Sequence, residues 1–202
     1  QGYPERLYPY VTALAAGSDP SYVVLAPTIR LSAYGAESPA QQQDVEDFWT
    51  LVNSSGFLKL ATGKVGIFGE SSGGHLACLV GATQNIPRVM ALYPPINLTG
   101  SPAVSSGLDP YVNYYTPSAA GKQAASANLA WQSGRTTRFQ LWHGTSDGFV
   151  PSAQTAAMVS AAGSYCVARY RAGEGHGFST TVRNEVISAA IRFFDDRQAL
   201  EA

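Results

Sequence analysis

The sequence predicts an α/β fold: a mostly parallel sheet with helices on both faces. Three observations carry this. Short runs rich in β-branched and aromatic residues alternate with longer amphipathic ones. The small-residue run Gly69-Glu70-Ser71-Ser72-Gly73-Gly74 separates two apolar stretches, as a tight turn between a strand and a helix would. Finally, 45% apolar and 13% charged residues over a length of 202 suit one globular domain with a sizeable core, expected to span residues 1–202.

Leu7, Val11 and Leu14 fall at helical spacing and predict a helix at the start of the chain. Residues 22–26 (YVVLA) predict the first strand. In residues 42–52, Val45, Phe48, Trp49 and Val52 share one helical face. Residues 64–68 (KVGIF) form the strand before the glycine turn, and residues 74–82 a helix after it, apolar nearly all round. Strands follow at 88–93 (RVMALY), 139–143 (FQLWH) and 166–170 (CVARY), short enough for a parallel sheet covered on both faces. A helix over 152–162 follows Val150-Pro151, with Ser152 as its cap. The last helix, 181–197, carries Val182, Val186, Ile187, Ala190, Ile191 and Phe194 on one side. Residues 98–137 show no clear period. They place Tyr111, Tyr114, Tyr115 and Trp131 among Gly, Ser and Pro, which suits a lid or binding wall inserted before the next strand.

The net charge of −1 gives no reason to expect nucleic acid or an anionic membrane as partner. No apolar run approaches the roughly 20 residues of a membrane span. No charged head followed by an apolar stretch marks a signal peptide, and the sequence assigns no compartment. Gln1 in place of Met predicts an N-terminus made by processing or truncation. Cys78 and Cys166 fit neither a zinc spacing nor a disulfide framework, so both are expected as free, buried thiols. Asn53-Ser54-Ser55 and Asn97-Leu98-Thr99 match the glycosylation triplet, a pattern common by chance.

Gly69-Glu70-Ser71-Ser72-Gly73 matches G-x-S-x-G, with a strand before it and a helix after it. That context is what a nucleophile elbow requires. The turn would strain Ser71, expose its oxygen above the sheet and set the Ser72 N–H beside it. A serine needs a base oriented by an acid. Of three histidines, His75 lies on the helix leaving the elbow, and His143 closes a strand and is read as bracing its loop. His176 sits between Gly175 and Gly177 in the loop after the last strand, where a base can reach across the sheet edge. Asp147 lies four residues beyond His143 and is the best-placed acid. Asp109 has no strand to hold it, and Glu174 would have to share one tight loop with His176. The order Ser71, Asp147, His176 follows.

With these residues in place, the sequence resembles the α/β-hydrolase superfamily, and within it the esterases related to hormone-sensitive lipase and the carboxylesterases. GESSGGHLA resembles their elbow, HGTSDGFVP their acid loop, and GEGHGF their histidine loop. TIRLSAYGAESPAQQQDVEDFW resembles the segment from their fourth strand to the helix before the elbow, and ALYPPINL resembles their sixth strand and the loop above the active site. The resemblance implies three further strands before the first helix, the third ending in a His-Gly-Gly motif that supplies oxyanion donors. That motif is missing here, with Gln1-Gly2-Tyr3 matching only its tail. Ser72, Gly2, Tyr3 and Glu70 are therefore the expected oxyanion and substrate-binding residues. The family's strand order implies that 22–26 and 64–68 are not sheet neighbours, and that a segment outside residues 1–202, either the N-terminal part of the same precursor or a companion polypeptide, fills the slot between them.

The function this implies is hydrolysis of a small or aromatic carboxylic ester through an acyl-enzyme, with no cofactor and no metal. An amidase, peptidase or arylformamidase of the same fold is the alternative enzyme, distinguished by relative rates on ester and amide substrates. A non-catalytic binding protein of hydrolase fold is the alternative outside catalysis, and would be expected to lack a member of the triad.

Overall fold

The computed structural model describes residues 7–16, 22–54, 65–100, 102, 104 and 107–195. Four strands, β1 (Gly66–Glu70), β2 (Arg88–Leu92), β3 (Arg138–Gly144) and β4 (Cys166–Arg171), form a parallel sheet in chain order. The register aligns Ile67, Val89, Phe139 and Cys166 across the sheet on one face, and Phe68 and Met90 on the other. Both faces are covered. On the first, α3 (Ser71–Thr83) and α7 (Ala153–Ala162) bury Leu79, Val80 and Met158 against Val89, Phe139 and Leu141. On the second, α1 (Tyr8–Ala16) and α8 (Thr180–Phe194) bury Tyr10, Leu14, Val186 and Phe193 against Met90, Leu92 and Trp142. Fully burying such a side chain contributes about 1.5–3 kcal/mol, so the sheet is held from both sides.

Several boundaries differ from expectation. α2 runs Ala40–Ser54. β1 ends at Glu70, two residues later than the pattern indicated, and α3 starts at Ser71 with no residue between. Ser152 precedes α7 in a helical conformation and makes no side-chain cap. Ser179, by contrast, accepts from the Val182 N–H and caps α8. Residues 98–137 contain three short helices, α4 (Asp109–Tyr115), α5 (Ala119–Ala124) and α6 (Ala127–Ala130). Helices of four to seven residues are too short for an apolar period to accumulate, which is why none was visible.

Residues 22–26 are the main correction. They form no strand: residues 22–31 carry no regular secondary structure. Their side chains still alternate as a strand's would. Tyr22 and Val24 pack on the second core, while Val23 and Leu25 face outward. The Tyr22 hydroxyl donates to the Ile191 carbonyl at 2.9 Å. A strand is defined by its ladder, and this segment has no ladder partner among the described residues. It does not pair with β1, whose outer edge likewise carries no strand among those residues.

Cys78 and Cys166 are buried and free. Asn97 is also buried and accepts from both the N–H and the hydroxyl of Thr99, so its triplet offers no open glycan site. Among the described residues no helix is long and apolar enough to cross a membrane, and no cluster of three or more His, Cys, Asp or Glu is arranged to hold a metal ion.

Candidate active site

The strand joins the helix directly, with β1 ending at Glu70 and α3 beginning at Ser71. Ser71 has φ 50, the left-handed region that a side chain populates only at a cost of about 1–3 kcal/mol. The bend brings α3 back over the end of β1. A Cβ at residue 69 would run into the carbonyl of Gly73, so glycine is required at 69. Gly73 itself has open space around it among the described residues; Gly74 is the tighter position, against Gly69 and Leu92. Glu70 gives α3 no side-chain cap, and the first N–H groups of the helix, that of Ser72 among them, have no acceptor within the helix.

Two loops at the same sheet edge complete the arrangement. β3 ends at Gly144, where a Cβ would strike the Glu174 carbonyl, so the two loops pass in close contact. The Thr145 and Ser146 N–H groups donate to the Arg171 and Glu174 carbonyls, joining the acid loop to the histidine loop. Asp147 then turns its carboxylate inward. Its Oδ1 accepts from the Phe149 and Val150 N–H groups at 2.8 and 2.9 Å. Its Oδ2 accepts from His176 Nδ1 at 2.8 Å. With that proton committed to the carboxylate, His176 Nε2 is left as an acceptor, and Ser71 Oγ lies 2.9 Å from it. The structure thus brings Ser71, His176 and Asp147 into one continuous hydrogen-bonded series. Burial alone would push the Asp147 carboxyl up. The neighbouring His143, the bond to His176 and the two N–H groups outweigh it and hold the carboxyl well below the usual carboxylate range.

The other histidines have different surroundings. His143 is fully buried, with Nδ1 against the Thr155 hydroxyl and Nε2 against the Val150 carbonyl, each at 2.7 Å. It also lies 3.5 Å from Asp147 Oδ2, behind the acid rather than facing Ser71. His75 is buried on α3 against the Pro95 carbonyl. Glu174 does not approach His176 as an acid; its carboxylate accepts from the Ser179 N–H and hydroxyl and closes the loop around His176. The Glu70 carboxylate accepts from the Tyr93 hydroxyl at 2.6 Å. Gly2 and Tyr3 lie outside the described residues. Two residues around His176 were not anticipated: the rings of Tyr93 and Phe149 pack on its imidazole, with centroids 4.6 and 5.4 Å away. The sequence had placed Tyr93 at the end of the strand 88–93, within the stretch ALYPPINL, without giving it a role.

This fold is that of the α/β-hydrolases. The BD-FAE family model matches residues 6–125, more than half of the chain, and the chain belongs to that family of α/β-hydrolase-type esterases. Among solved structures, it is similar to a thermophilic esterase of the Planctomycetes species Thermogutta terrifontis, with a TM-score of 0.76 and 16% identity over 98% of this chain and 77% of that one. It is similar to an acetyl ester-xyloside bifunctional hydrolase of Caldicellulosiruptor lactoaceticus, with a TM-score of 0.72 and 20% identity over 84% of this chain and 70% of that one. A puromycin-hydrolyzing peptidase of Mycobacterium tuberculosis is a further neighbour, with a TM-score of 0.63 and 16% identity over 78% of this chain and 25% of that one. At these identities the likeness is one of fold. No curated protein matches the chain.

Proposed function

We propose that the protein is a serine hydrolase of carboxylic esters, working through an acyl-enzyme. The observation that carries this reading is the series from Ser71 Oγ through His176 to Asp147, with Ser71 held at positive φ at the end of β1. Ser71 attacks the ester carbonyl while His176 Nε2 takes its proton. His176 then returns the proton to the leaving alcohol, and water repeats the sequence to release the acid. Asp147 holds the imidazole in the tautomer this requires and stabilises its cation. The Ser72 N–H, at the start of α3, donates to the oxyanion. A second donor, worth about 3–4 kcal/mol, would come from Gly2 or from a companion segment paired with the outer edge of β1. Residues 98–137 would form a wall of the cleft, and their tyrosines suit a small or aromatic ester. The test is the hydrolysis of aryl esters of graded acyl length, from the acetate upward, by the protein and by Ser71→Ala. The variant should retain the fold and lose kcat by on the order of 10⁴ or more. Equal rates in the two would remove Ser71 from the mechanism.

A second reading, cleavage of an amide or peptide bond, draws support from the peptidase among the structural neighbours. The same residues would serve, with His176 protonating an amine. Rates on an aryl formamide and a proline dipeptide amide, set beside the aryl acetate, separate the two.

A further inference from the structure

Among the described residues, two that are not glycine are held at positive φ: Ser71 and, with φ 40, Tyr93. They leave the ends of the adjacent strands β1 and β2. A bulky side chain keeps such a conformation only where its surroundings over-determine it. Those surroundings can be named. The Tyr93 N–H donates to the Trp142 carbonyl at 2.7 Å, which fixes the backbone. Its ring packs edge-on to Phe178, with centroids 5.1 Å apart, and lies on the His176 imidazole. Its hydroxyl donates to Glu70, the residue immediately before Ser71. Core packing accounts for a ring at this position. It does not account for a hydroxyl bound to a carboxylate one residue from the nucleophile.

We propose that Tyr93 is a positioning residue for the hydrolytic step. Its ring holds the imidazole of His176 in line with Ser71, and Glu70 ties that ring to the strand end that carries the serine. The proposal rests on the roles of Ser71 and His176 given above. The pair Glu70–Tyr93 then fixes the separation of nucleophile and base, by a contact separate from the Asp147 hydrogen bond. Asp147 sets which nitrogen faces the serine, and Tyr93 sets where that nitrogen sits.

The experiment compares Tyr93→Phe, Glu70→Ala, Glu70→Gln and the double variant Tyr93→Phe/Glu70→Ala. Each is followed by kcat and KM on an aryl acetate and by the rate at which an organophosphonate ester labels Ser71. Tyr93→Phe keeps the ring and loses only the anchor. It should lower kcat and the labelling rate by roughly ten- to a hundredfold, with KM unchanged. Glu70→Ala should do the same, and the double variant should be no slower than either single one, because both remove one interaction. Glu70→Gln still offers an oxygen to the hydroxyl and should recover most of the loss. Thermal unfolding of each variant identifies any loss that comes from unfolding. A wild-type protein that takes the label beside a Tyr93→Phe variant that takes it equally fast would overturn the inference, as would losses that add in the double variant. A wild-type protein that takes no label at Ser71 overturns instead the reading on which the inference rests.

Discussion

His75→Asn should flatten the dependence of stability on pH while leaving the pH dependence of catalysis in place. His75 lies one turn beyond Ser71 on α3, buried, with Nδ1 3.0 Å from the Pro95 carbonyl. Since that carbonyl only accepts, Nδ1 carries the proton of the neutral ring. Its Nε2 is buried with no partner among the described residues, and its ring stands edge-on to Tyr115 at 5.6 Å. Burial lowers its pKa from 6.5 to about 4, against the bond to Pro95, which pulls the other way. Between those values the unfolded chain binds a proton that the native chain refuses, so stability falls as the pH drops. The penalty is on the order of 2 kcal/mol at pH 5 and nearly absent at pH 7. Asparagine keeps the donor to Pro95, loses the titration, and costs roughly 1–2 kcal/mol at pH 7 through lost packing. The stability difference between wild type and variant should therefore shift by about 2 kcal/mol against the wild type from pH 7 to pH 5, closing or reversing the gap. Urea unfolding followed by tryptophan fluorescence at the two pH values measures it, and groups common to both proteins cancel in the difference. Two proteins whose stabilities fall in parallel would refute the argument.

The remaining predictions concern the site itself. His176→Gln should abolish turnover, while His143→Gln should leave the shape of the kcat/KM profile in acid intact and cost stability through the Thr155 and Val150 contacts; equal losses of activity would reassign the base. Asp147→Asn should lower kcat by about 10⁴, because an amide in that place no longer selects the tautomer with Nε2 free. The same carboxyl is held below its ordinary range, so wild type should lose stability as the pH falls below about 4, and Asp147→Asn should lack that component in a urea titration over pH 5 to 2. Gly69→Ala should destroy activity, since its methyl group and the Gly73 carbonyl cannot share the elbow; near-wild-type rates would mean the elbow is not tight.

The elements that were legible in the sequence are those whose steric demands are local. A serine on a turn this sharp requires glycine at 69, so the elbow is spelled out in five residues. The loops carrying Asp147 and His176 follow apolar strands whose ends can be read, and their nearness to Ser71 follows from parallel strands ending on one edge. Residues 22–26 were misread because their alternation is real but a ladder needs a partner, which composition cannot reveal. Ser152 has the right residue type for a cap and the wrong backbone, being helical where a cap is extended. The conformation of Tyr93 was hidden because a positive φ outside glycine comes from tertiary contacts, and its partners Glu70, Trp142 and His176 lie far away in the chain.

The central claim is that Ser71 is a nucleophile activated by His176. An organophosphonate ester incubated with the protein, followed by proteolysis and mass mapping of the peptide spanning residues 66–78, tests it most directly. The account predicts one label, on Ser71, absent from Ser71→Ala and much slowed in His176→Gln. A label on Ser72, or none on either serine, would contradict it.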